Sequence, residues 1–485
     1  MRGREFRLFT SGGKVTLRIA MNKTTRRAFS AVFAIALLFV SGGASYSQTD
    51  PSAGSSGAVV LTNARVIDGL GGKPLEDVTV ILADGLVRNI GSVTQAQWPA
   101  GAKVVNCRGK TIVPGLMSDH SHVGLIEGAS TGPQNYTQTN LLQALHQYQA
   151  YGITTIVSLG LNRDLFYPLR DSLRTGKLKG ADLFGADRGI GVPNGAPPVP
   201  VGSDGLYRVA TPAEAIEAVQ EMGARHPDLI KIWVDDFHGS VPVKMQPPVY
   251  RAVIEESHKR SLRVAAHVYY LEDAKELVRD GVDILAHGVR DRPVDGELIA
   301  LMKARGTWYI PTLDLDEATY IYAEQPEWMK QPFFRRALSP ALREQFADPA
   351  WRAKTLANKK VLDVSKDALA MNKRNLKTLY DAGVHIGFGT DSGAMPLRIP
   401  GFAEHRELQL MVEAGLTPLQ AIDVATANAA KLLQLNDRGV LAPGMHADLV
   451  LLDGNPAVDI RNSQLIHAVY QRGQLVSGRV ASYVR

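Results

Sequence analysis

Two histidines with one residue between them, His120 and His122, stand at the end of an apolar run that begins at Val113. On an extended strand, residues two apart point to the same side, so both imidazoles can reach one metal ion. A His-x-His pair is a weak signal alone, because histidines at this spacing also occur without a metal. The pair predicts a metal site only if further ligands follow elsewhere in the chain.

Four further polar residues interrupt or end later apolar runs: Lys231, His267, His287 and Asp391. Each has an ordinary structural explanation when taken singly, such as a core histidine, an extended lysine or a helix-capping aspartate. Catalytic residues of parallel-strand barrels lie where strands lead into loops, so this recurrence favours one shared active site. Because Cys107 is the single cysteine, a metal would be held by histidine, carboxylate or a modified side chain.

The elements that must position these residues alternate between strand-like apolar runs and amphipathic helical stretches, which is typical of a parallel sheet covered by helices. We predict one strand leading into His120 and seven more over 153–158, 183–186, 229–234, 263–268, 283–287, 307–312 and 384–390. Eight such units over residues 114–435 predict an α/β fold, a closed (β/α)8 TIM barrel. Residues 314–371 are too long for a simple connection and predict a helical insertion, a candidate lid.

The two ends of the chain have a different character from the middle. Residues 58–113 and 436–485 contain short β-type runs separated by Gly and Asp turns, and they predict a small β-sandwich domain formed by both ends. Residues 48–57 are rich in Ser and Gly and predict a linker. Eight basic residues against Glu5 alone, all within residues 1–47, account for the net charge of +6. The nearly neutral remainder gives no electrostatic reason to expect a nucleic-acid partner.

Residues 1–47 predict a targeting segment, for which Met21 could be the true start. Basic residues at 23, 26 and 27 precede a short apolar run over 31–40 and then small residues. That run is too short for a stable membrane span, which needs about 20 residues. An ordinary secretory signal and a twin-arginine signal both fit, and either predicts an exported protein, periplasmic or secreted.

The whole pattern resembles the metal-dependent amidohydrolase superfamily. The shared features are Pro-Gly-Leu leading to His-x-His, a lysine on strand four, histidines on strands five and six, and an aspartate on strand eight. The resemblance runs from about Val59 to the end of the chain. It departs at Ser118, where the family usually has aspartate, but this position lies outside the ligand set. The segments around Lys231, His267 and His287 look most similar to the branch with imidazolonepropionase and the prolidase-like Xaa-dipeptidases.

This resemblance implies two divalent ions, zinc in most such sites, bridged by a carboxylated Lys231 and a hydroxide. One ion would be held by His120, His122 and Asp391, and the other by His267 and His287. The hydroxide would attack a substrate carbonyl, while Asp391 would accept a proton and pass it to the leaving group. The expected reaction is therefore hydrolysis of a C–N amide bond in a small molecule, of the Xaa-dipeptide or N-acyl amino acid type.

Three further residues are predicted to bind substrate: Tyr269, His238 and Arg290. Tyr269 is similar to a tyrosine that binds the substrate carboxylate in the dipeptidase branch, although a tyrosine packed under a loop would fit equally. Arg290 could pair with an anionic substrate group or form an exposed salt bridge. His238 could enter the pocket or be a plain loop histidine. Together they predict a substrate that carries a carboxylate.

Other functions are compatible with parts of this pattern. A lactone, lactam or cyclic amidine hydrolase would use the same site, whereas a mononuclear deaminase of the same fold needs no lysine at the position of Lys231. An exported solute-binding protein would lack the histidines at strand ends. The sequence leaves assembly into a homo-oligomer open.

Overall fold

The computed structural model describes residues 5–10, 13–18 and 57–478. The N-terminal unit, Met1–Ala53, contains strands β1 (Glu5–Thr10) and β2 (Gly13–Arg18), which pair antiparallel. The apolar run of the predicted targeting segment and nearly all of the predicted linker lie outside the described residues. All further elements belong to the second unit, Gly54–Arg485.

The strands of the second unit, in chain order, are β3 (Val59–Val66), β4 (Leu75–Ala83), β5 (Leu86–Gly91), β6 (Lys103–Asn106), β7 (Thr111–Pro114), β8 (Leu116–Ser121), β9 (Ile126–Glu127), β10 (Ser130–Thr131), β11 (Ile153–Ser158), β12 (Asp182–Gly185), β13 (Ile190–Gly191), β14 (Tyr207–Arg208), β15 (Ile230–Trp233), β16 (Val264–His267), β17 (Ile284–Ala286), β18 (Trp308–Ile310), β19 (His385–Ile386), β20 (Leu449–Leu452), β21 (Ile466–Gln471) and β22 (Gln474–Gly478).

The α-helices are α1 (Gln138–Ala150), α2 (Phe166–Arg174), α3 (Pro212–Gly223), α4 (Pro247–Lys259), α5 (Leu271–Arg279), α6 (Gly296–Arg305), α7 (Asp314–Glu317), α8 (Ile321–Glu324), α9 (Pro332–Ala337), α10 (Pro340–Ala347), α11 (Pro349–Ala357), α12 (Lys359–Asp381), α13 (Phe402–Glu413), α14 (Pro418–Asp423) and α15 (Ala429–Leu432). A π-helical turn, Val424–Asn428, joins the last two.

Strands from both ends of the chain meet in one eight-stranded sheet. Its order is β22-β21-β20-β7-β3-β4-β5, with β6 beside β3. The N-terminal and C-terminal parts join where β20 pairs antiparallel with β7, from Leu449 opposite Pro114 to Leu452 opposite Thr111. Apolar residues of this sheet form a buried cluster around Leu61, while others, such as Val113 and Val450, belong to the main core. Both ends therefore share one sheet and core, while the predicted sandwich arrangement stays a prediction.

The middle of the chain forms parallel sheets with helices between their strands. One sheet has the order β12-β11-β8, and the other has the order β14-β13-β15-β16-β17-β18-β19. Two parallel bridges link the sheets, Ser121 with Ser392 and Ala186 with Leu229. The α/β fold class is thereby confirmed, and all eight predicted strands are present.

Helix α3 shows how local sequence fixes these elements. The side chain of Thr211 accepts a hydrogen bond from the Glu214 amide, and the Glu214 carboxylate accepts one in return from the Thr211 amide. This capping box satisfies two amides at the helix start. One face of the helix buries Ala215, Val219 and Met222. Burial of each of the two larger side chains contributes about 1.5–3 kcal/mol.

The predicted insertion consists of short helices followed by the long helix α12. Aromatic side chains pack it against α13, with ring centroids 5.3 Å apart for Tyr322 and Phe334 and 4.6 Å apart for Phe334 and Phe402. The insertion is thus packed against α13. Among the described helices, none has the length and apolar character that a membrane span requires.

Candidate metal centre

Five of the six predicted metal ligands lie within or directly after strands of the parallel sheets, Asp391 lies in the segment that follows β19, and all six are buried. Their exposed fractions are 1% for His120, 3% for His122, 0% for Lys231, 5% for His267, 2% for His287 and 6% for Asp391. Because parallel strands present the same ends to one rim, these side chains converge from β8, β15, β16, β17 and β19. Contacts between their side chains bring together His120, His122, His267, His287 and Asp391.

The carboxylate of Asp391 contacts two of the histidines. Its Oδ1 is 3.2 Å from Nε2 of His120 and 2.9 Å from Nε2 of His122. Ligand atoms of His120, His287 and Asp391 all lie within 4.8 Å of one another. This group of three includes His287, which was expected to bind the second ion. The two expected ion sites are therefore next to each other.

The ring centroids of the His267 and His287 imidazoles are 4.3 Å apart. Nδ1 of His287 is 2.9 Å from the Thr312 hydroxyl oxygen. Nε2 of His267 is 3.1 Å from Oδ2 of Asp235, and its ring stacks on Phe237. Asp235 was not among the site residues predicted from the sequence. Its signal was the pair of aspartates that directly follows the Lys231 strand.

The amine of Lys231 lies 5.3 Å from the centroid of the Trp233 ring. Its Nζ has no hydrogen-bond partner among the described residues, and the side chain is fully buried. Burial lowers the pKa of Lys231 to about 7, although Asp391 and Asp235 oppose the shift. The unprotonated form of the amine is therefore populated near neutral pH.

Burial also sets the charge of the histidines and the aspartate. It lowers the pKa of His120 to about 3, with help from Lys231, and it lowers the pKa of His267 and His287. These imidazoles are neutral, as metal ligation requires. Burial opposes ionisation of Asp391, but the nearby Arg398 and hydrogen bonds from the histidines outweigh it. The pKa of Asp391 is therefore held well below its usual range.

Backbone geometry brings the last strand close to the first. A side chain at Gly389 would place its Cβ 2.6 Å from Cβ of His120, so the approach requires glycine. The amides of Thr390 and Asp391 both donate to the His120 carbonyl. Asp391 and His287 adopt left-handed conformations with φ of 59° and 81°. Such strain persists where the surroundings fix it, often at functional sites.

The three predicted substrate residues lie together. The ring centroids of His238 and Tyr269 are 3.7 Å apart, and the Arg290 guanidinium is 5.0 Å from the centroid of the Tyr269 ring. Burial and Arg290 lower the pKa of His238 to about 4. Arg290 forms a salt bridge, as one of the two expectations stated, but the expectation that this salt bridge is exposed is wrong. The residue is 4% exposed, because Asp316 of α7 supplies a buried partner at 3.2 Å.

A cavity of about 270 Å³ opens beside His122, with Asn140, Gln147, Arg336 and Arg398 among its lining residues. Arg398 also forms an ion pair with Asp391. The cavity offers room for a small molecule next to the ligand group. A larger cavity of about 480 Å³, lined by residues that include Arg263 and Trp308, lies at the opposite ends of the strands and contains no predicted site residue.

Sequence comparison identifies one family over most of the chain. The model of the amidohydrolase family matches residues 111–476. An ochratoxinase from Aspergillus niger is 28% identical over 241 residues, which cover 48% of this chain and 42% of that enzyme. An imidazolonepropionase from Deinococcus deserti is 38% identical over 104 residues, 21% of this chain and 26% of the relative. The matches thus span less than half of these relatives.

Solved structures share the fold over a longer range. A Xaa-Pro dipeptidase with bound methionine is 24% identical with a TM-score of 0.69, covering 86% of this chain and 99% of that one. The A. niger ochratoxinase structure is 21% identical with a TM-score of 0.66, covering 87% and 96%. At these identities the likeness concerns the fold.

Proposed function

This chain belongs to the amidohydrolase family of hydrolases acting on carbon–nitrogen bonds, and we propose that it cleaves the amide bond of a small carboxylate-bearing substrate, an Xaa-dipeptide or an N-acyl amino acid. The observation that carries the proposal is the convergence of four histidines, a lysine and an aspartate, all buried, at one rim. Buried polar groups are expensive unless they are satisfied, so their concentration points to a functional site.

The donor set fits a pair of divalent ions. Several ligand nitrogens have no hydrogen-bond partner among the described residues: Nδ1 of His120, Nδ1 of His122, Nδ1 of His267 and Nζ of Lys231. Unsatisfied buried atoms of this kind are rare in folded proteins, and a bound ion would satisfy them. Imidazole and carboxylate ligands suit zinc. In this proposal His120, His122 and Asp391 hold one ion, and His267 and His287 the other.

Lys231 would bridge the two ions after carboxylation. Its unprotonated amine forms a bond to the carbon of CO2 and releases a proton, which leaves a carbamate anion. Because burial lowers the pKa of the amine to about 7, the reactive form is available near neutral pH. A buried ammonium would be costly, whereas a carbamate is matched to two dications.

When bound, divalent ions supply a polarised carbonyl and a nucleophilic water near neutral pH. The chain supplies the remaining functions. Asp391, held as a carboxylate, accepts the proton of the attacking water and delivers it to the departing amine nitrogen. The rings of Tyr269 and His238 lie 3.7 Å apart between centroids. The Tyr269 hydroxyl and the His238 ring would bind the substrate carboxylate, with the Arg290 guanidinium beside the Tyr269 ring adding positive charge.

The finer architecture belongs to the same proposal. The bridges Ser121–Ser392 and Ala186–Leu229 support closure of the eight strands as a TIM barrel. The shared sheet supports a β-sandwich built from both chain ends. We further propose that the helical insertion serves as a lid. Export to the periplasm or the medium is supported by the sequence of residues 1–47 alone.

The test is to purify the protein, load it with Zn²⁺, count the ions per chain and measure turnover against a library of dipeptides and N-acyl amino acids. The proposal predicts two ions and hydrolysis, with C-terminally amidated versions of the same compounds as poorer substrates. One ion with release of ammonia from an amino-heterocycle would indicate a deaminase instead. Lactone opening without amide cleavage would overturn the proposed substrate class.

A further inference from the structure

Glu404, near the start of α13, is a fully buried carboxylate behind the metal centre. Its Oε1 accepts hydrogen bonds from the Thr390 hydroxyl at 2.7 Å and the Ser392 hydroxyl at 2.6 Å. Its Oε2 accepts a third from the Gly401 amide at 2.7 Å. Thr390 and Ser392 are the two residues that flank Asp391. One carboxylate therefore accepts hydrogen bonds from both residues that flank a proposed metal ligand.

The contacts continue from Ser392 to a second proposed ligand. The Ser392 hydroxyl is 2.7 Å from the Tyr148 hydroxyl, and the Ser392 carbonyl accepts a hydrogen bond from the His122 amide at 2.7 Å. Tyr148 and Ser392 are fully buried. Because these bonds join the ends of the first and last strands, Glu404 is linked to the segments that carry both His122 and Asp391.

The network calls for a carboxylate rather than an amide. Two hydroxyls donate directly to Glu404, that of Ser392 and that of Thr390, and the Thr390 hydroxyl also accepts from the Ser392 amide. Because the Ser392 hydroxyl donates to Glu404, the Tyr148 hydroxyl is the donor in its contact with Ser392. With the Gly401 amide, the carboxylate faces donors on both oxygens. An amide side chain would turn its own NH2 group toward at least one of them.

We infer that Glu404 is a positioning residue, which holds Asp391 in its left-handed conformation and fixes the separation of Asp391 from His122. The inference rests on the proposed function, since it concerns the same metal ligands. An alternative is that Glu404 only completes the start of α13 through its bond to the Gly401 amide. The two explanations differ in what they predict for the metal, because a helix cap alone would alter stability and leave metal affinity unchanged.

The test compares Glu404→Gln with wild type by chelator competition for Zn²⁺ and by the visible absorption bands of the Co²⁺-loaded protein. Loss of a supporting hydrogen bond behind a ligand commonly weakens metal binding by roughly 10–100-fold. We expect a loss of that size and altered Co²⁺ bands. If Glu404→Gln fails to fold, Thr390→Val serves in its place. It should weaken binding in the same direction, whereas Thr390→Ser, which keeps the hydroxyl, should restore it.

A matched control is Asp182→Asn. Asp182 is also fully buried, and it accepts hydrogen bonds from Arg438 and Arg472 at the start of β12, away from the ligand rim. It should lower thermal stability and leave Zn²⁺ affinity unchanged. Wild-type affinity and Co²⁺ bands in both Glu404→Gln and Thr390→Val would overturn the role inferred for Glu404 and leave the proposed function unaffected. A wild-type protein that binds no divalent ion would overturn the proposed function together with it.

Discussion

Oδ2 of Asp235 lies 3.1 Å from Nε2 of His267, and both side chains are buried. The same carboxylate accepts a hydrogen bond from the Phe237 amide, which fixes its orientation. The pKa of Asp235 is lowered despite burial, because His267 and that amide stabilise its charge. This contact favours a proton on Nε2 of His267, which would leave Nδ1, an atom with no partner among the described residues, as the metal-binding nitrogen.

Asp235→Asn should weaken metal binding by roughly 10–100-fold, because the amide no longer stabilises the required tautomer of His267. The loss should concern one ion of the pair, and it is measured by ion counting during stepwise chelation. Asp236→Asn is the neighbouring control, since Asp236 bonds Tyr270 and the Gly239 amide. Equal metal affinity in the two variants would contradict the role assigned to Asp235.

Lys231→Met should raise the stability of the metal-free chain while it lowers ion content and turnover. The substitution replaces a buried amine that lacks a partner among the described residues with an apolar chain of similar length. Removal of an unsatisfied buried group is expected to stabilise the metal-free chain by roughly 1–3 kcal/mol. Without a carbamate the ion pair loses its bridge, so ion content and turnover should fall together. Two tightly bound ions in Lys231→Met, with wild-type turnover, would argue against a bridging lysine.

Tyr269→Phe should act on substrate binding alone. It removes the hydroxyl proposed to bind the substrate carboxylate and keeps the ring beside the Arg290 guanidinium. A hydrogen bond to a charged group contributes about 1.5–3 kcal/mol, so KM for carboxylate substrates should rise roughly tenfold or more. Metal content and kcat should stay near wild type. Tyr270→Phe is the control, because its hydroxyl donates to Asp236; an equal rise in KM there would contradict the assignment.

The parallel strands could be predicted from sequence because strands buried on both faces read as continuous apolar runs. Strand β11 spans Ile153–Ser158, as predicted, and β15 begins and ends one residue inside the predicted run. The ligand candidates were found for the same reason. A histidine, lysine or aspartate that ends such a run is visible in the sequence, and strand order then places it at the shared rim.

Residues that support the ligands could not be found in this way. Glu404 lies on a helix and Arg398 in a loop, and nothing in their local sequence shows that they contact the flanks or the carboxylate of Asp391. The buried ion pair of Arg290 was not predicted, because its partner, Asp316, lies 26 residues away in the insertion. Such pairings depend on how distant segments pack, which periodicity does not report.

His405 provides a test of the buried structure by pH. Its Nε2 is 2.8 Å from the Tyr151 carbonyl oxygen and its Nδ1 is 3.0 Å from the Ser463 hydroxyl, an arrangement that suits a neutral ring. Burial lowers the pKa of His405 to about 4, and Arg336 adds to the shift. In the unfolded chain a histidine titrates near pH 6.5.

Between these pH values the unfolded state binds the proton and the folded state does not. The contribution of His405 is thus fully present above about pH 6.5 and is lost as the pH falls toward 4, by roughly 3 kcal/mol at about 1.4 kcal/mol per pKa unit. His405→Gln can keep both hydrogen bonds but cannot titrate. Urea unfolding of the metal-free proteins should therefore show a shallower acid-side loss of stability in His405→Gln than in wild type. Parallel pH profiles for the two proteins would show that His405 is protonated in the folded state or exposed to water.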